Sequence, residues 1–93
     1  MIIEVRHGTP NEQDVRTYGV ASAAKTFLKG KIKDRERWAA AYNLELEKTI
    51  RSIREQFDSV DVAKLKAGSS RQWSARDDHT GTTFVWSITK LEE

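Results

Sequence analysis

Trp38-Ala39-Ala40-Ala41-Tyr42-Asn43-Leu44-Glu45-Leu46-Glu47-Lys48-Thr49-Ile50-Arg51-Ser52-Ile53-Arg54-Glu55-Gln56-Phe57 carries the strongest periodicity in the chain. Trp38, Tyr42, Leu46, Ile50, Ile53 and Phe57 are spaced 4, 4, 4, 3 and 4 residues apart. At about 100° per residue they fall within a stripe about 120° wide, which also takes in Ala39 and Thr49. The pattern predicts one amphipathic helix from Arg35 to Phe57, roughly 35 Å long, with Asp34 as its N-cap. Glu47 and Arg51 form an i,i+4 pair on its outer face, in the order that suits the helix dipole. Leu44 falls on that outer face as well, with Ala40 nearby, and offers a contact for a partner or a second copy.

Toward the N-terminus the reading is of a second, less regular helix. Thr9-Pro10-Asn11-Glu12 has the form of a helix start: Thr9 can cap, Pro10 suits the first helical position, and Glu12 completes a capping box. Val20, Ala24, Phe27 and Leu28 share a face, and Gly19 is expected to kink or break the helix. Gly30 is expected to end it, with Lys25 and Lys29 in the last turn, where the dipole favours cations. Before it, Ile2 to Arg6 reads as a short strand stopped by Gly8.

Toward the C-terminus, residues 59–68 fit either a short helical turn or a connecting strand around Val60, Val62 and Leu65. Gln72 to Asp77 and Thr82 to Leu91 read as a hairpin around the turn residues Asp78-His79-Thr80-Gly81. Phe84, Trp86 and Ile88 share one face of its second strand. The expected fold is a single α+β domain over residues 1–93 in the order β-α-α-β-β. Two helices cover one face of a small, about three-stranded, mainly antiparallel sheet.

Composition narrows the function classes. The 93 residues include no cysteine, so a disulfide framework, a thiolate metal site and a cysteine nucleophile are excluded. No apolar run is long enough for a membrane span, and the first residues lack the features of a signal peptide, so a cytoplasmic protein is expected. The net charge of +2 is small, but its distribution is uneven. Residues 25–37 hold six basic residues against two acids, and residues 64–76 hold four and no acid.

Two short motifs bear on chemistry. Val5-Arg6-His7-Gly8-Thr9 resembles the signature of the histidine phosphatase superfamily, in which a strand-end histidine becomes phosphorylated and an arginine grips the phosphoryl group. That resemblance implies a minor enzymatic alternative, with His7 as nucleophile and His79 with Arg71 or Arg76 as the only spare residues for the second half of a site. It covers about six residues, in a chain shorter than that fold requires. Asp77-Asp78-His79 holds metal-ligand residue types, but neighbours on a strand point to opposite sides, and the same residues are ordinary turn formers. No cofactor is expected.

The main functional expectation is a non-enzymatic binding or regulatory protein acting on a protein partner, as an accessory factor or inhibitor of the kind phages and mobile elements encode. The alternative is a nucleic-acid-binding protein. It would use Lys29, Lys31, Lys33 and Arg35 from the first basic segment, and Lys64, Lys66, Arg71 and Arg76 from the second. Trp73 would serve as a stacking platform if its ring is exposed rather than part of the core.

Overall fold

In a computed structural model that describes residues 1–93, two β-hairpins flank a pair of helices in sequence. The elements are β1 (Ile2–Thr9), β2 (Glu12–Tyr18), α1 (Ala21–Ala40), α2 (Leu44–Asp58), a 3-10 turn (Val62–Lys64), β3 (Ser70–Asp77) and β4 (Thr82–Glu92). The sheet has four strands in the order β2-β1-β4-β3, every pair antiparallel. The α+β class and the two helices on one sheet face agree with the sequence reading, and the strand count is four rather than three.

The extra strand is the segment read as the first helix. Thr9 pairs with Glu12, so Pro10-Asn11 is a two-residue hairpin loop. Pro10 has a fixed negative φ that suits a turn as well as a helix start. Gly8 does not stop β1; the strand runs through it, with φ +142. A Cβ there would lie 2.3 Å from the Glu12 carbonyl oxygen, so glycine is what lets the hairpin close. From Glu12 to Thr17 every β2 residue is exposed, because β2 is an edge strand that only the flank of α1 reaches.

α1 begins only at Ala21, after an extended Val20 that contributes no side-chain cap. It runs through Gly30 instead of ending there, and Asp34 lies exposed in its interior rather than at an N-cap. The expected Arg35–Phe57 helix is in fact divided at Ala41–Asn43. Asn43 is extended, and its side chain accepts a hydrogen bond from the Leu46 N–H at 3.2 Å, which caps α2. Glu45 and Glu47 fill the first turn of α2, favourable to its dipole. The Glu47–Arg51 pair is present at 3.1 Å.

The core lies between the helices and the sheet. α2 contributes Leu46, Ile50, Ile53 and Phe57, and α1 contributes Ala24, Leu28, Ile32 and Ala39. They meet Ile3 and Val5 of β1, Ala75 of β3, and Phe84, Trp86 and Ile88 of β4. Each large apolar side chain buried here contributes about 2 kcal/mol. The open residues 59–68 contain the short helical turn, which plugs the core with Val62 and Leu65. Buried Lys90 ties this turn to β4, since its Nζ donates to the Ala63 carbonyl at 3.0 Å and meets Glu93 at 3.1 Å. No helix is long and apolar enough to cross a membrane.

Candidate functional site

The six basic residues of the first segment all lie on α1 or its continuation, and helix geometry sorts them into rows. Lys25 and Lys29 face α2. Lys25 Nζ donates to the carbonyl oxygens of Asp58 at 2.9 Å and Val60 at 2.7 Å, and Lys29 pairs with the Asp58 carboxylate at 2.7 Å. They were expected to serve the C-terminus of their own helix; they serve that of α2 instead. The hydrogen bond from Lys29 holds the Asp58 carboxyl below its ordinary pKa. Lys33 and Arg37 point outward, beside the Arg54–Glu36 pair at 2.6 Å.

Lys31 and Arg35 belong to another row. Phe27, Lys31, Arg35 and Trp38 follow each other at spacings of 4, 4 and 3 residues. This places them on one flank of α1, where Phe27, Lys31 and Arg35 border the crease against the β1–β2 hairpin and Trp38 reaches Phe84 of β4. The row is about 16 Å long at 1.5 Å per residue. Lys31 Nζ lies 5.4 Å from the centroid of the Phe27 ring, and Arg16 Cζ from β2 lies 4.5 Å from the same ring. Arg35 Cζ lies 4.8 Å from the Trp38 ring and 4.2 Å from Phe84. Rings hold these cations in place without neutralising them. No ion pair of the protein takes up Arg16, Lys31 or Arg35.

His7 sits at the floor of the crease. Its ring is 5.7 Å from Phe27, and with Arg35, Gly8, Gln13, Glu12 and Asp14 it lines a cavity of about 280 Å³. Burial pushes the His7 pKa below the ordinary imidazole value, and Lys31, Arg16 and Arg35 push the same way against Asp14. The imidazole is therefore neutral at neutral pH, and its 3.6 Å approach to Asp14 is not then an ion pair. Glu12 and Asp14 make an acidic rail at the hairpin tip, beside the cations.

The aromatic row continues past Arg35. Trp38 and Tyr42 have ring centroids 4.5 Å apart, and Tyr42 meets His79 edge-on at 5.9 Å. Trp38 is 40% and Tyr42 41% exposed, although both were expected in the buried stripe. The Tyr42 hydroxyl donates to Asp77, a fully buried carboxylate. Asp77 also accepts from Thr80 Oγ1 at 2.9 Å, the His79 N–H at 3.0 Å and Asn43 Nδ2 at 3.4 Å. These bonds, the Tyr42 one foremost, hold its pKa below the ordinary carboxylate value. Asp77-Asp78-His79 is thus the start of a structural turn.

The second basic segment lies across the molecule, because β3 is the sheet edge opposite β2. Lys64 stands 3.9 Å from Asp61, Arg76 stands 3.7 Å from Asp78, and Arg71 donates to the Ser70 carbonyl. Lys66 is exposed in the loop before β3. Trp73 faces the helices, half-buried, edge-on to Phe57 at 5.4 Å, so its ring is a core element and not an open platform. The two segments expected to cooperate therefore do not form one surface. Leu44, at the start of α2, is 65% exposed beside the Trp38–Tyr42 pair in sequence.

Arg6 and His7 do not converge either. They alternate on β1, and Arg6 pairs with Glu4 at 2.7 Å on the sheet face away from the helices, while His7 faces α1. Arg16 is not legible as a site residue in the sequence, because the Thr9–Glu12 capping-box pattern points to a helix where β2 runs. Nor is the row from Phe27 to Trp38, whose spacing is visible once a helix spans residues 21–40. No family model matches the chain, and neither the curated proteins nor the solved structures gave a match.

Proposed function

We propose that the protein is a non-enzymatic binding module whose target is nucleic acid, held along the crease between α1 and the β1–β2 hairpin. The observation that carries this reading is the set Arg16, Lys31 and Arg35. These three cations have no carboxylate partner, and each is steadied on an aromatic ring along one flank of α1. Phosphates pair directly with these cations, against the repulsion of the neighbouring Glu12 and Asp14, and releasing their condensed counterions supplies the free energy. A protein partner was the leading expectation from sequence. The unpaired charge favours a polyanion over an apolar protein surface, while Leu44 alone is an ordinary exposed leucine.

Three phosphate contacts are few, so the affinity expected at low salt is on the order of 10 µM. The test is anisotropy of a labelled oligonucleotide across a salt series. A log–log slope of about −2 is expected for a single strand. Binding that does not change with salt, or no binding at low salt, contradicts the reading. Affinity purification with and without nuclease addresses the protein-partner alternative: a stoichiometric protein retained after nuclease would favour it.

A further inference from the structure

Resting on that reading, we infer that the ligand is a single strand, one of whose bases stacks on the exposed Trp38–Tyr42 step at the end of the cation row. Trp38 and Tyr42 are the most exposed tryptophan and tyrosine, at 40% and 41%. Trp86 is 3% exposed, Trp73 packs on Phe57, and Tyr18 is half-buried against Phe27.

Both open rings are fixed before any ligand arrives. Trp38 lies against Arg35 and meets Phe84 edge-on at 5.7 Å, and Tyr42 is anchored through its hydroxyl to Asp77. A fixed ring loses little conformational freedom when a base covers it. Arg35 sits against Trp38, so a phosphate at Arg35 brings the neighbouring base within reach of the ring. This pairing of cation and platform is what a single strand engages.

A duplex fits the same row poorly. Its base faces are already stacked on each other and cannot cover Trp38. A helix that reads the major groove must also project from the surface. Lys31 and Arg35 are half-buried in a crease between α1 and the hairpin, so the row cannot enter a groove.

The position of the three tryptophans gives a direct test, because Trp38 is the most exposed of them. The protein is titrated with labelled oligothymidylate, with a hairpin duplex of equal charge, and with inorganic polyphosphate, following both ligand anisotropy and tryptophan emission. The single strand is expected to bind more tightly than the duplex and to quench emission. Polyphosphate is expected to compete for the row without quenching. Trp38→Phe keeps an apolar ring against Arg35 and is expected to remove the quenching. Trp38→Ala is expected to weaken single-strand binding by roughly 5- to 100-fold. Equal affinity for the duplex, single-strand binding without a change in emission, or equal quenching by polyphosphate would each overturn the stacking inference while leaving the cation row standing. Failure of all three ligands to bind at low salt would remove both.

Discussion

Asp77 shows how a single residue can belong to the fold while looking like chemistry. Its carboxylate has no solvent-exposed surface and joins the α1–α2 junction to the β3–β4 turn through Tyr42, Asn43, His79 and Thr80. Turn-forming residue types made the turn legible in sequence. The link to Tyr42, 35 residues away, was not, because no local pattern encodes it. Asp77→Asn is expected to lower the melting temperature clearly more than Asp78→Asn, since the Asp78 side chain is 88% exposed. The pH dependence has a definite sign. The folded Asp77 pKa lies below the unfolded value, so its contribution is complete above about pH 4 and is lost as pH falls through the folded pKa. Acid titration of Asp77→Asn by circular dichroism should therefore give a flatter loss of stability below pH 4. His7 acts at milder pH. It faces Asp14 and Arg16 of β2, Lys31 and Arg35 of α1, and Glu12 at the hairpin tip. Protonation adds a fourth positive charge to the crease, so oligonucleotide binding should tighten only as pH falls below the ordinary imidazole range, about 6.5, and should do so less in His7→Gln.

At the scale of elements, the bounds of both helices and the existence of one strand, β2, escape the sequence for identifiable reasons. Edge position leaves β2 exposed, so it carries no apolar alternation to mark it as a strand. Its Pro-containing turn shares residue types with a capping box. The apolar phase of Trp38 and Tyr42 continues into α2, which hides the break at Asn43 from a periodicity argument. The C-terminal hairpin was legible because its second strand is central and alternates cleanly. α1 carries two local imperfections that give direct predictions. A Cβ at Gly30 would have nothing within 4 Å, so Gly30→Ala should stabilise the protein by about 1 kcal/mol. Val20 is extended, uncapped and 58% exposed, so Val20→Asp should add about 1 kcal/mol through a cap bond and the helix dipole. Urea denaturation of both variants checks these values; a loss of stability in Gly30→Ala would mean that the helix is not continuous there.

At the scale of the whole molecule, β1 and β4 are the central strands, so the two ends of the chain are paired at the middle of the sheet. The helices cover one face, and the other presents a mostly polar surface that includes Arg6, Gln72 and Ser87. This layering separates the basic segments that are close in composition but not in space. Lys31 and Arg35 join Arg16 along α1 and β2, whereas Lys64, Lys66, Arg71 and Arg76 lie toward the β3 edge. Sequence reading saw the charge of both segments but could not see that lateral separation, nor that Lys25 and Lys29 are consumed in holding α2. The central claim is that the unpaired cations of the α1–hairpin crease carry the binding. It is tested most directly by comparing Lys31→Glu/Arg35→Glu with Lys64→Glu/Lys66→Glu, an equal change of charge, in oligonucleotide anisotropy at low salt. Loss of binding in the first pair with retention in the second is the expected result, and equal loss in both, or loss in the second alone, would contradict it.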